Sequence, residues 1–215
     1  MYLTRLLLNP RHRRVRQEVA RPYEIHRTLM QCFPDDLSPT GERLLFRVET
    51  PPPTRAITLL MQTLTAPTWG WLERPVARGY LASSDLPNPW VKTFEPRFKE
   101  GQVLAFRLLA NPTVKRAGKR RGLYRKEDQR AWLVRKARVG GFRVGSVRSV
   151  GQGTVVGSIH RGDRTSHQLR FLSVRFDGLL QVTDPDVFLE TLRRRIGSGK
   201  GLGFGLLSVA RPRRY

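Results

Sequence analysis

The chain has 215 residues, enough for two compact domains of about 100 residues each. Lysine and arginine number 40 against 17 acidic residues, a formal charge of +23. Folding does not require that imbalance, and its usual cause is a polyanionic partner, nucleic acid first. The single cysteine, Cys32, excludes a disulfide framework and any zinc site built on several cysteines.

Residues 2–8 (YLTRLLL) predict a strand that ends at Asn9-Pro10. A cluster of Arg11, Arg13, Arg14 and Arg16 follows. Pro22 suits the first position of a helix. Ile25, Leu29, Cys32 and Phe33 then recur at i, i+4, i+7 and i+8 as its buried face. Cys32 on that face reads as core filler. Residues 34–36 (PDD) stop the helix. Strands are expected over 44–49 and 56–64, joined across three prolines. Residues 68–80 read as a short, broken helix, and a brief strand near 91–94 closes the half. The order is βαββαβ.

The second half repeats this order. Residues 102–109 form a strand, and 113–126 (TVKRAGKRRGLYRK) a basic loop expected to stay disordered until its partner arrives. A helix covers 126–139, with Leu133, Val134 and Ala137 on one face. Long strands over 142–159 and 169–182 are joined by a basic turn, 160–167. Asp184 caps a helix that begins with Pro185 and runs through Ile196, and 202–210 is the last strand. Two βαββαβ units in tandem predict an α+β protein of two ferredoxin-like domains, 1–97 and 98–215, divided within 96–101.

Tyr23 and His26 lie three residues apart, so one turn places them on the same strip of helix surface. RNA carries its own nucleophile, the 2′-hydroxyl. Its cleavage needs a base for that proton, an acid for the departing 5′-oxygen, and positive charge near the phosphate. Histidine suits either proton role near neutrality, and a phenol can orient the nucleophile or assist the leaving group. Both residues sit near a helix N-terminus, which favours anions. Spacing alone also fits an ordinary surface histidine and tyrosine.

The run GSGKGLGFG at 197–205 places five alternating glycines around Lys200. Such a backbone can approach a phosphate and turn its N–H groups toward it, although a tight helix-to-strand connection would explain one or two of the glycines. It is neither a Walker loop nor a dinucleotide fingerprint, because Gly201 follows Lys200 and the run precedes a strand. Lys115, Arg116, Lys119, Arg120, Arg121, Arg125 and Lys126 form a second basic cluster, and Arg161 and Arg164 crown the long hairpin. Together these residues supply the counterion-releasing footprint of a nucleic-acid binder. The four histidines are scattered, so neither a metal nor another cofactor is expected. No apolar run approaches the ~20 residues of a membrane span, and residues 1–10 do not read as a signal peptide. A cytoplasmic protein is expected.

Several blocks carry a family resemblance: 1–8 (MYLTRLLL), 22–29 (PYEIHRTL), 106–112 (FRLLANP), 127–133 (EDQRAWL), 176–183 (FDGLLQVT) and 196–209 (IGSGKGLGFGLLSV). The chain resembles the CRISPR-associated CasE endoribonucleases, the repeat-RNA processing subunit of the type I-E Cascade complex. The Tyr-x-x-His pair together with the Gly-rich block is the specific part of the match. The resemblance implies two ferredoxin-like domains and metal-independent cutting at the 3′ base of the CRISPR repeat stem-loop. That cut leaves a 2′,3′-cyclic or 3′ phosphate and a 5′-hydroxyl. The product stays bound, and other Cascade subunits are partners. It further implies His26 as general acid or base, assisted by Tyr23. The second-domain hairpin and the Gly-rich segment (Gly199, Lys200, Gly201, Gly203) would grip RNA. A member of the family carries a lysine where this chain has Gln31, and there it helps hold the phosphate. Arg27 or Lys200 would take that place here.

A competing reading is a non-catalytic RNA-binding or scaffold subunit of a ribonucleoprotein, which shares the charge, the folds and the glycine run. A DNA-binding regulator fits less well, because no helix-turn-helix pattern is present.

Overall fold

The computed structural model describes residues 1–34, 44–49, 56–160 and 166–212. It is a mixed α/β protein of antiparallel sheets and few helices. The chain divides into two compact units. The first is Met1–Glu95 together with Lys200–Gly203, and the second is Pro96–Gly199 together with Phe204–Tyr215.

The first unit is built on a sheet with strand order β2-β3-β1-β4. Its strands are β1 (Tyr2–Leu8), β2 (Leu45–Glu49), β3 (Ile57–Thr63) and β4 (Trp90–Thr93). β1 buries Thr4, Leu6 and Leu8 and leaves the alternate positions partly open, the two-residue period of a strand with one covered face. Two helices, α1 (Arg13–Ala20) and α2 (Pro22–Met30), follow β1. Pro22 separates them. Its ring excludes the preceding residue from the helical region, and Arg21 accordingly sits at φ −132°, ψ 79°. The chain therefore turns there instead of continuing as one helix. Val15, Ile25 and Leu29 pack with Leu6, Leu8, Phe46, Leu59 and Met61 in one core. Cutting Ile25 or Leu29 back to alanine would cost about 2–5 kcal/mol.

α1 is an addition to the expected βαββαβ order. Only Val15 and Glu18 of its eight residues are buried, so it lacks the apolar periodicity that marks a helix. Glu18 serves as its polar anchor. The carboxylate accepts from Tyr80 Oη at 2.5 Å, Thr28 Oγ1 at 2.7 Å and Arg14 Nε at 2.6 Å. Arg14 Nη2 also donates to Thr28 Oγ1 at 2.7 Å. α1 is thereby tied to α2 by charge-assisted hydrogen bonds. α2 ends at Met30, so Cys32 and Phe33 lie beyond it, not on its last turn, although both are buried. The Cys32 thiol is pushed up to about 12, chiefly by burial, as befits a core side chain. The broken helix expected over 68–80 consists of two 3₁₀ turns, Gly70–Glu73 and Pro75–Ala77.

The second unit holds a sheet with order β10-β5-β9-β8. These strands are β5 (Val103–Ala110), β8 (Phe142–His160), β9 (Ser166–Val182) and β10 (Leu207–Ala210). α3 (Lys126–Val139) buries Trp132, Leu133 and Ala137 and leaves Val134 outside, contrary to the expected face. α4 (Pro185–Arg193) is capped by Asp184, which accepts from the backbone N–H groups of Asp186 and Val187. It stops short of Ile196. The last strand begins only at Leu207, and the residues before it are not extended pairing strand.

The basic segment 113–126 is not a loop. It forms a hairpin of β6 (Thr113–Arg116) and β7 (Lys119–Gly122), paired antiparallel. Ala117 and Gly118 turn it with φ of 47° and 76°. Two consecutive positive φ values mark the type I′ turn, whose twist matches the paired strands.

Candidate active site

α2 presents Tyr23 and His26 on a different strip of its surface from its anchors. Ile25 and Leu29 are buried, whereas Tyr23 is 44% exposed and His26 half-buried. The two rings are stacked, 9° from parallel with centroids 6.0 Å apart. Behind His26 stands the buried ring of Phe46 from β2, at a centroid distance of 6.3 Å.

The middle of the Gly-rich run lies against this pair. Lys200–Leu202 form a 3₁₀ turn that belongs to the first unit, with Leu202 buried. A Cβ on Gly201 would stand 3.5 Å from Tyr23 Cδ2 and 3.8 Å from His26 Cδ2. At Gly203 a Cβ would stand 3.2 Å from Phe46 Cε2, and the backbone there has φ of +80°. Gly203 is thus fixed by the left-handed backbone as well as by the close ring. Gly199 differs. It lies in the second unit, where a Cβ would stand 2.8 Å from Phe204 Cδ2.

His26 is held below the ordinary imidazole value, first by burial and then by the charge of Lys200. At neutral pH the free imidazole is therefore uncharged and able to accept a proton. Lys200 supplies positive charge beside the pair. Arg27 is exposed, and Glu24 of the same helix pairs with it at 3.2 Å. Gln31 caps α2, and Arg74 Nη1 donates to its Oε1 at 3.4 Å. Among the described residues no three His, Cys, Asp or Glu side chains group as a metal site. No described helix is long and apolar enough to cross a membrane.

The other expected RNA-binding residues belong to the second unit or lie outside the described residues. Lys115, Arg116, Lys119, Arg120 and Arg121 lie exposed on the β6–β7 hairpin of the second unit. Arg161 and Arg164 fall outside the described residues. Sequence patterning did not single out Phe46 or Arg74. Phe46 reads as one more apolar strand residue, and Arg74 is one of many arginines.

A family model described as "CRISPR associated protein" matches residues 1–211. The CRISPR-associated endoribonuclease Cse3 of Thermus thermophilus is 40% identical over 98% of this chain and 100% of its own length. The chain belongs to the CRISPR-associated Cse3/CasE endoribonuclease family. A second member, the Cascade subunit CasE of Escherichia coli, is 28% identical over 87% of this chain and 91% of its own. Among solved structures of the family, Cse3 bound to a 19-nucleotide RNA superposes with a TM-score of 0.81 at 40% identity, covering 98% of this chain and 100% of that one. Escherichia coli Cas6e superposes with a TM-score of 0.67 at 26% identity, covering 99% and 100%.

Proposed function

We propose that this chain is a metal-independent endoribonuclease that recognises the CRISPR repeat stem-loop and cuts at the 3′ base of the stem. The observation that carries the proposal is the stacked Tyr23–His26 pair with Lys200 and Gly201 beside it, in a family whose named members include endoribonucleases.

In this reading the neutral His26 takes the proton of the attacking 2′-hydroxyl. The 2′-oxygen bonds to phosphorus, the P–O5′ bond breaks, and a 2′,3′-cyclic phosphate forms. Tyr23 donates its phenolic proton to the departing 5′-oxygen, which leaves as a hydroxyl. Lys200 and the N–H groups around Gly201 stabilise the charge that grows on the phosphoryl oxygens. Arg27 adds to the local positive potential. No step needs a metal, because the substrate brings its own nucleophile.

Each unit is proposed to be a ferredoxin-like domain. Supporting this, both sheets place the first and third strands of the βαββαβ order at the centre: β1 and β3 in one, β5 and β9 in the other. We assign the cutting site to the N-terminal domain, 1–97, joined there by Lys200–Gly203. The duplex-gripping role goes to the C-terminal domain, 98–215. There the β6–β7 hairpin and the strands β8 and β9, with Arg161 and Arg164 between them in the sequence, would hold RNA. The product stays bound as guide RNA within a Cascade-type assembly, in the cytoplasm.

The test is incubation of the protein with its repeat hairpin in EDTA, with the product ends analysed. A cyclic or 3′ phosphate and a 5′-hydroxyl are expected. Intact RNA, or cutting only on addition of Mg²⁺, would overturn the proposal.

A further inference from the structure

Between α1 and α2 the first unit carries an open groove of about 1030 Å³. Five arginines and two glutamates line it. Glu18 is matched at its floor by Arg14 at 2.6 Å, and Glu24 is paired with Arg27 at 3.2 Å. That leaves Arg13, Arg16 and Arg21, all exposed and without an acidic partner among the described residues. Arg13, Arg16 and Gln17 share one strip of α1, because they stand three and four residues apart. The groove is strongly cationic on a protein already at +23, and such a surface stays folded at a cost in repulsion unless an anion covers it.

The groove also reaches the helix strip next to Tyr23. Around α2, Arg27 lies one turn beyond Tyr23, and Gln31 one turn beyond Arg27. Tyr23 belongs to the proposed reaction centre, whereas Arg27 and Gln31 both line the groove. One unbroken helix surface therefore leads from the scissile position into the arginines. The volume is about that of the larger small-molecule sites, which suits a few unpaired nucleotides and not a duplex.

We propose that this groove holds the single-stranded RNA downstream of the scissile phosphate, the strand that leaves after cleavage. The inference rests on the nuclease reading above, which assigns the stem on the other side of the cut to the second domain. Arg13, Arg16 and Arg21 contact the phosphates of the leaving strand, and Gln17 offers an amide to its bases. The groove orients the strand so that the 5′-oxygen departs toward Tyr23. It also makes the uncut precursor bind more tightly than the trimmed product.

The experiment compares two RNAs: the repeat hairpin ending at the cleavage position, and the same hairpin with a single-stranded 3′ extension. Both carry a 2′-deoxy group at the attacking position so that neither is cut. Affinities are read across a salt series for the full chain and for Arg13→Gln/Arg16→Gln/Arg21→Gln. The full chain should prefer the extended RNA, with a salt slope steeper by about 2, since each single-strand phosphate contact contributes ~0.7. The triple variant should lose that preference and that extra slope while holding the trimmed hairpin as before. Equal loss on both RNAs would overturn the inference, because the arginines would then serve the hairpin or act as diffuse charge. No loss on either would overturn it too, and would give the groove to an acidic protein surface. The nuclease reading is tested separately, by whether the full chain cuts the all-ribose extended RNA. Its failure there would leave the binding comparison readable.

Discussion

The backbone at Gly201 leaves room for about one methyl beside the Tyr23 ring, since a Cβ there would stand 3.5 Å from Cδ2. That distance has a graded consequence. Gly201→Ala adds one methyl at ordinary contact distance and should leave cleavage within a few-fold of the parent. Gly201→Leu would cover the Tyr23 and His26 rings and should cut the rate by ~100-fold or more, because small misplacements near the reacting atoms cost that much. Single-turnover cleavage of the repeat hairpin by the two variants reads the difference. Equal rates would mean that the glycine turn does not border the reacting phosphate.

His26→Ala should abolish cleavage while hairpin affinity stays within a few-fold of the parent. The imidazole is one contact among many but the sole base in the proposed chemistry. Tyr23→Phe should slow cutting by ~10²-fold, in the lower part of the range for a lost proton donor. A substrate with sulfur at the scissile 5′ position needs no proton for departure and should restore the Tyr23→Phe rate. Failure of that rescue would remove Tyr23 from the leaving-group role.

The acid limb of the cleavage rate should lie below pH 6.5, the ordinary imidazole value from which His26 is lowered. Cleavage needs the uncharged ring, so the rate climbs as pH rises through the lowered pKa and levels off above it. Lys200→Met removes the second of the two causes and should move the limb upward, though not the whole way, because burial remains the larger. The same shift bears on stability with a definite sign. Between the folded pKa and 6.5 the unfolded chain binds more protons at His26. Stability is therefore complete above 6.5 and is lost as pH falls through that window. A limb that stays put in Lys200→Met would dissociate the two residues.

Glu18 should be the most damaging surface-helix residue to remove. Glu18→Ala strips the buried Tyr80 hydroxyl and Thr28 of their acceptor and leaves Arg14 without its carboxylate. We expect a loss of about 3 kcal/mol in urea unfolding, with Tyr80→Phe costing about 1–2 kcal/mol. The carboxylate also keeps the Tyr80 phenol protonated, since burial first and Glu18 second push its pKa up. Thr28 sits two residues from His26 on α2, so the cleavage rate should fall along with stability. A Glu18→Ala protein of full stability would show that α1 docks without this network.

The elements legible in the sequence were those whose own residues carry the burial. β1 and β5 alternate, and α3 buries Leu133 and Ala137 as expected, although Val134 lies outside. Asp184 before Pro185 marks its helix start by chemistry alone. α1 escaped notice because the group that anchors it is a glutamate, which reads as surface until Tyr80, 62 residues away, supplies its partner. The β6–β7 hairpin escaped because its strands expose lysine and arginine and its turn opens on Ala117, not on asparagine or glycine. Leu202, Phe204 and Leu206 alternate with glycine and imitate a strand, yet pairing begins only at Leu207. Of the site, Tyr23 and His26 could be named from helical spacing and Lys200 from the glycine run. That Lys200 acts on His26, and that Phe46 backs the ring, depends on folding that joins distant stretches of chain.

Four residues from far along the chain, Lys200–Gly203, are part of the unit otherwise made by residues 1–95. A fragment ending there would retain its phenol and imidazole but forfeit the cation and the glycine wall beside them. Truncation, gene splitting or domain transplantation at that boundary should therefore deliver a piece with an incomplete reaction centre. During synthesis, too, the centre must remain unfinished until the ribosome has passed Gly203.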